Sequence, residues 1–275
     1  MITLISKESA PAGLTLYLAI DLNNGAKAMT GVYFPDGYPG DKKLDLILYL
    51  HGHEAPPIKD YWKQKQFKLR EEVNDGNKWL ALIAPTLGAK SQSGSLTSLG
   101  LDWYLDQVIE GIFQHAPEKV GQSATPSVGN VFLACHSGGG EPMRKLAWEA
   151  GSFVRKYGGK IRECWGFDCL YHPSNNPSKK EGPTDNTSDT EENWFYWAQL
   201  NPQAKLFVYY TDQGGTKTRS ENLGRFVKND PRFNINLGFG NINRGNVIVS
   251  KSDAPAHDDV PKRYLKERIN ACALR

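Results

Sequence analysis

Apolar residues fall in short blocks along the chain, and the spacing inside the blocks switches between two periods. "LTLYLAI" (14–20) and "AMTGVYFP" (28–35) flank the turn-like "DLNNGAK" and predict a pair of antiparallel strands. "LDLILYL" (44–50) is apolar almost throughout. A strand apolar on both faces belongs inside a parallel sheet covered by helices on each side. The same reading applies to "WLALIAP" (79–85), "NVFLACH" (130–136), "CWGFDCLY" (164–171) and "KLFVYYTD" (205–212), with "NVIVS" (246–250) as a short further strand.

Between these blocks the period lengthens. "IKDYWKQKQFKLREEVNDG" (58–76) sets Trp62, Leu69 and Val73 on one helical stripe, and "LDWYLDQVIEGIF" (101–113) does so with Leu101, Leu105, Val108, Ile109, Ile112 and Phe113. Met143, Leu146, Ala147, Ala150 and Val154 share a face in 141–154, and 221–228 predicts another helix. The closing segment 261–274 keeps Leu265, Ile269 and Cys272 in register. Its Lys262, Arg263, Lys266, Glu267 and Arg268 read as a solvated face.

Strands alternating with helices imply right-handed crossovers. The predicted architecture is three-layer α/β/α, with a mainly parallel sheet of about eight strands whose first two form an antiparallel edge. No repeat at a fixed period is present, and a single domain over residues 1–275 accommodates every element. One segment breaks the rhythm after the sixth strand. Residues 172–194 are polar and rich in Asn, Ser, Thr, Pro and Gly, and they run into "WFYW" (194–197). A loop of that length predicts either a lid over 172–197 with an aromatic hinge, or a surface loop followed by a core-packed turn.

Composition narrows the picture modestly. Charged residues are 23%, hydrophobic ones 39%, and the net charge of +3 gives no argument for nucleic acid. No apolar stretch approaches the roughly 18–20 residues that span a bilayer, and the N-terminus shows no basic region followed by an apolar one. A cytoplasmic protein is the expectation, although a secreted chain trimmed of its signal would read the same. Cys135, Cys164, Cys169 and Cys272 form no CxxC and no Cys/His metal spacing, so they read as free buried thiols.

The reactive residues lie where an open parallel sheet places its ligands, beyond the carboxyl ends of the strands. The third strand runs into His51-Gly52-His53-Glu54 and the fifth into His136-Ser137-Gly138-Gly139. The sixth ends at Asp168 and the seventh at Asp212, and His257 stands ahead of the last helix. Serine needs a base within reach, a carboxylate to orient that base, and N–H donors aimed at the developing oxyanion. A sharp strand–turn–helix bend exposes the serine and aims the next N–H, that of Gly138, into the site. Read plainly, Ser137 would only cap the following helix. A cap requires neither three glycines nor the adjacent histidine.

These features resemble the α/β-hydrolase family. "ACHSGGG" is similar to its nucleophile elbow, "LYLHGH" to its oxyanion-hole strand and turn, and His257 holds its usual place before the final helix. The elbow departs from Gly-x-Ser-x-Gly by Cys135 at the first glycine position, while Gly139 keeps the second. The resemblance implies a serine hydrolase with Ser137 as nucleophile, His257 as base, and an oxyanion hole of Gly138 and His53 with Gly52 allowing close approach. It leaves two positions for the acid. Asp168 sits among apolar neighbours where an unpartnered carboxylate is costly, and "Asp-Cys-Leu-Tyr" resembles the Asp-x-x-Tyr that some small hydrolases carry there. Asp212 occupies a polar, glycine-rich turn that an Asp can simply cap. Asp168 is preferred. Asp253, Asp258 and Asp259 read as a solvated helix-capping cluster.

The expected activity is ester cleavage through an acyl-enzyme, with a small-molecule ester or amide as partner. An amidase or peptidase using the same triad is the alternative, as is a non-catalytic ligand- or carbohydrate-binding protein on the same scaffold. Tyr171, His172 and Trp103 are further pocket candidates. The His51/His53 pair finds no third ligand at a recognisable spacing, so no metal is expected. No phosphate-binding glycine motif follows a strand, so no nucleotide cofactor is expected either. Oligomeric state is not legible.

Overall fold

The computed structural model describes residues 2–9, 11–21, 27–40, 43–53, 55–63, 67–87, 100–121, 127–150, 156–171, 190–213, 215–229 and 245–274. Nine strands join one sheet: β1 (Thr3–Glu8), β2 (Leu14–Asp21), β3 (Lys27–Phe34), β4 (Leu44–Leu50), β5 (Ala81–Pro85), β6 (Val128–His136), β7 (Ile161–Phe167), β8 (Lys205–Tyr210) and β9 (Val247–Lys251). Their order is β1-β2-β3-β5-β4-β6-β7-β8-β9. The first three strands pair antiparallel, as does β3 with β5, and every pairing from β5 across to β9 is parallel.

The sheet has one strand more than the sequence pattern predicts. β1, "TLISKE", alternates exposed and half-buried positions along its length. It covers the edge at β2 and buries little, so its apolar signal is weak.

Helices cover both faces, as fully apolar strands demand. On one face, α3 (Leu101–His115), α4 (Gly140–Ala150), α5 (Thr190–Leu200) and α6 (Lys217–Val227) pack on Leu46, Leu48, Leu133 and Cys135. On the other, α1 (Ile58–Tyr61), α2 (Leu69–Asn74) and α7 (Val260–Ala271) pack on Ile47, Tyr49, Phe132 and Ala134. Successive residues of β4 and β6 thus feed opposite cores, as the two-residue strand period requires.

Three further readings change. The stripe over 58–76 is not one helix but two short ones, α1 and α2, although Trp62, Leu69 and Val73 are buried as expected. Lys68 between them takes φ 45°, a left-handed conformation that ends helical continuity. Of the lid predicted at 172–197, residues 172–189 lie outside the described residues. The aromatic run belongs to α5, where Trp194, Phe195 and Trp197 are buried in the core. Arg268, assigned to a solvated face, is buried instead. It pairs with Glu163 at 3.3 Å and stacks its guanidinium 3.6 Å from the Phe207 ring centroid.

Candidate active site

β4, β6, β7 and β8 are neighbours in the parallel part of the sheet, so their carboxyl ends share one edge. That arrangement brings the His51–His53 turn, Ser137, Asp168 and Thr211 together before any side chain is considered. β6 ends at His136, one 3-10 turn spans Ser137–Gly139, and α4 begins at Gly140. Ser137 has φ 53°. A left-handed backbone at a non-glycine residue costs on the order of 1–3 kcal/mol and persists only where surrounding packing imposes it.

The glycines explain how that bend is held. A side chain at Gly139 would run into the Leu50 carbonyl oxygen of β4. One at Gly52 would stand 2.8 Å from Ser137 Cβ. The turn after β4 and the turn after β6 can approach only because both positions lack a Cβ. Cys135, in the position before His136, is a buried strand residue paired with Leu50 and Gly166. Burial pushes its thiol well above the ordinary range.

Asp168 follows β7 directly, with φ 49° and no solvent exposure. Its carboxylate accepts His257 Nδ1–H at 2.8 Å, the Thr211 N–H at 3.2 Å and the Thr211 hydroxyl at 2.5 Å, and it also accepts the Thr216 hydroxyl. Burial alone would raise its pKa. The hydrogen bonds from His257, Thr211 and Thr216 outweigh that burial and hold the carboxyl below its usual range. Asp212 is elsewhere: half-exposed, it bridges Lys217 at 2.8 Å and Lys251 at 2.5 Å, which hold it down to about 2. Asp253 pairs with Arg263 and the Tyr264 hydroxyl.

His257 opens a 3-10 turn, His257–Asp259, that leads into α7. Two neighbours fix it besides Asp168. His136 Nε2–H donates to the His257 carbonyl at 3.2 Å, and the two rings lie 4.5 Å apart. Burial and the adjacent His257 hold His136 down to about 3, so it stays neutral. Tyr171 Oη lies 3.3 Å from His257 Nε2 and 3.4 Å from Ser137 Oγ.

The residues predicted to form an oxyanion hole, and the histidine before them, divide. Gly52 and His53 line a cavity of about 340 Å³ together with Ser137, His136, His257, Tyr61 and Phe67. Gly138 follows Ser137 and is buried. His51 points away from that cavity's chemistry and into the fold. Its Nε2 accepts the Leu87 N–H at 2.8 Å, which leaves Nδ1–H to donate to the Gly52 carbonyl at 2.8 Å. With both ring nitrogens engaged, His51 braces the turn and is not available as a metal ligand beside His53. Trp103 packs half-buried against the core on α3, away from this cavity, and His172 lies outside the described residues. A larger, more open groove of about 660 Å³ runs between α2 and α7, but it holds none of the reactive residues.

Among the described residues, one trio brings metal-type ligand atoms together, His136, His257 and Asp258, within 4.8 Å of one another. His257 Nδ1 and His136 Nε2 are already committed to Asp168 and to a backbone carbonyl. Tyr61 and Phe67, stacked with centroids 4.4 Å apart, form an apolar wall of the cavity that the sequence pattern did not single out.

No protein-family profile and no curated protein matches the chain. Solved structures do match over nearly the full length. A ferulic acid esterase is 12% identical with TM-score 0.56, covering 98% of this chain and 95% of its own. An S-formylglutathione hydrolase from Agrobacterium tumefaciens is 12% identical with TM-score 0.53, covering 97% and 99%. An acetyl xylan esterase from Paenibacillus sp. R4 is 12% identical with TM-score 0.51, covering 99% and 88%. The chain has the α/β-hydrolase fold that these esterases share.

Proposed function

We propose that the chain is a serine hydrolase that cleaves small carboxylic esters through an acyl-enzyme. The observation that carries this reading is the fully buried Asp168 carboxylate bonded at 2.8 Å to His257 Nδ1, on the sheet edge where Ser137 protrudes at φ 53°. Because Asp168 accepts from Nδ1, the other imidazole nitrogen carries the lone pair. A neutral His257 is therefore set as a base on its Nε2 side, in the cavity that Ser137 also lines.

In this reading Ser137 Oγ attacks the ester carbonyl, and its proton passes to His257. Asp168 stabilises the imidazolium. The N–H groups of Gly138 and His53 receive the oxyanion, with Gly52 keeping the two turns close. Collapse expels the alcohol, which takes the proton from His257, and water then repeats the cycle to release the acid. The strained serine supports the nucleophile role, since such backbone is rarely kept without a functional or packing cause. The cavity of about 340 Å³ suits a small or medium acyl or alcohol group rather than a polymer enclosed whole. The similar structures named above are esterases, which favours esters over amides.

The test is pre-steady-state turnover of a nitrophenyl ester beside an aminoacyl anilide. A burst of nitrophenol followed by slower turnover is expected, with anilide cleavage far slower. Ser137→Ala should lose at least about 10³-fold in turnover. Equal activity in wild type and Ser137→Ala would remove the nucleophile assignment. Faster anilide cleavage would replace the esterase with an amidase.

A further inference from the structure

Ser137 Oγ and His257 Nε2 make no direct hydrogen bond among the described residues. Both instead contact one oxygen, Tyr171 Oη, at 3.4 and 3.3 Å. The turn that presents Tyr171 is the one that presents Asp168. Asp168 N–H donates to the Tyr209 carbonyl, Tyr171 N–H to the Cys169 carbonyl, and Cys169 and Leu170 between them are buried. One four-residue turn thus addresses both nitrogens of one imidazole, with Asp168 on Nδ1 and Tyr171 on Nε2.

For a neutral His257 imidazole, one set of bond directions satisfies both Tyr171 contacts. The Asp168 carboxylate is an acceptor, so Nδ1 carries a proton and Nε2 carries a lone pair. Tyr171 must then donate its O–H to Nε2, and the Tyr171 oxygen is left to accept from the Ser137 hydroxyl. Burial holds the Tyr171 phenol up to about 12, so it keeps its proton at neutral pH. Catalytic hydrogen bonds are often long in unliganded sites and shorten once substrate closes on them.

Resting on the serine-hydrolase reading above, we propose that Tyr171 is a catalytic residue that relays the Ser137 proton to His257. As Oγ bonds to the carbonyl carbon, the Oγ–H bond breaks and that proton joins Tyr171 Oη. In the same step the original Oη–H bond breaks and its proton joins His257 Nε2. The carbonyl π pair becomes the oxyanion, the imidazole becomes an imidazolium facing Asp168, and Tyr171 emerges unchanged as a neutral phenol. On collapse the departing alkoxide takes a proton back along the same path.

The experiment is the acylation burst with a nitrophenyl ester, whose leaving group needs no proton, measured across mixtures of H2O and D2O. Wild type is expected to give a curved dependence on deuterium fraction, the mark of more than one proton moving together. Tyr171→Phe should slow acylation about 100-fold and give a linear dependence. A variant that only loosened the site would lower the rate without changing that curvature. A linear wild-type dependence, or a Tyr171→Phe burst within about threefold of wild type, overturns the relay. A linear wild-type dependence overturns the relay even if Tyr171→Phe does not fold, and curvature that persists in Tyr171→Phe assigns the second proton to the Nδ1–H facing Asp168 and overturns it too. A wild type that forms no Ser137 adduct with a fluorophosphonate defeats the serine-hydrolase reading itself, which separates that failure from failure of the relay.

Discussion

At the scale of single residues, two carboxylates that looked alike in the sequence have opposite environments. Asp168 is fully buried and accepts four hydrogen bonds, one from His257, whereas Asp212 is half-exposed and held by two lysines. Asp168→Asn would swap a carboxylate acceptor for an amide that can pair with the wrong tautomer, so kcat should fall by about 10³–10⁴. Asp212→Asn removes only surface pairs and should stay within about twofold. Steady-state kinetics on both variants check this, and a crippled Asp212→Asn beside an active Asp168→Asn would reverse the assignment.

His136 adds a pH effect whose sign can be worked out. In the folded chain it is held down to about 3, against an ordinary value of 6.5. As pH falls below 6.5 the unfolded chain takes up a proton that the native chain refuses, so stability drops with pH. The loss is on the order of 3 kcal/mol by pH 4. Asp168, with its carboxyl held low, loses its own stabilisation in the same direction as pH falls through its depressed range. Melting temperatures from pH 4 to 7 should therefore fall less steeply in His136→Asn than in wild type. Superimposable slopes would contradict a buried neutral His136. That Ser137 and His257 line one cavity could be read from their places after strands. The bonding of His136, His51 and Tyr171 could not, because each partner lies on a different element.

At the scale of elements, the glycine tract was legible as a tight turn, and the structure supplies what it turns against. Gly139 packs on the backbone of β4. Gly139→Ala must push β4 and the serine turn apart and should cost about 1–3 kcal/mol, with activity falling alongside. A variant with wild-type melting temperature and wild-type turnover would show that the two turns are not in contact. The buried strands were legible because apolar residues on both faces leave little choice of environment. The 58–76 stripe was misleading for a physical reason: buried residues kept a helical spacing while the chain between them left the helix, since burial and helicity need not coincide over so short a run. In α5 the apolar Trp194, Phe195 and Trp197 are core residues, while Glu192, Asn193, Tyr196 and Gln199 on the opposite face are half-buried. Next to a long polar segment, that run offered no periodicity to tell a hinge from a core helix.

At the scale of the whole molecule, the end of the chain is tied to the middle of the sheet. Glu163 on β7 accepts from Arg268 at 3.3 Å, the Trp165 indole at 2.7 Å and the Ala273 N–H at 3.2 Å. His257 sits on the segment between β9 and α7, so this clamp on α7 also steadies His257. Arg268→Met leaves a buried carboxylate without its cation and should cost about 3–5 kcal/mol, whereas Arg268→Met with Glu163→Gln should recover much of that loss. Denaturant unfolding of the three proteins measures it, and equal stability of the single variant and wild type would contradict a buried pair. The charge pattern of α7 did not reveal the clamp, because one arginine among several surface cations carries no mark of burial.

The central claim is that Ser137 is the nucleophile. Its most direct test is the intact mass of the protein after exposure to a fluorophosphonate, with the modified peptide then located. One adduct on Ser137 is predicted, absent from Ser137→Ala and formed far more slowly in Asp168→Asn. An unmodified wild type, or an adduct that survives in Ser137→Ala, would contradict the account.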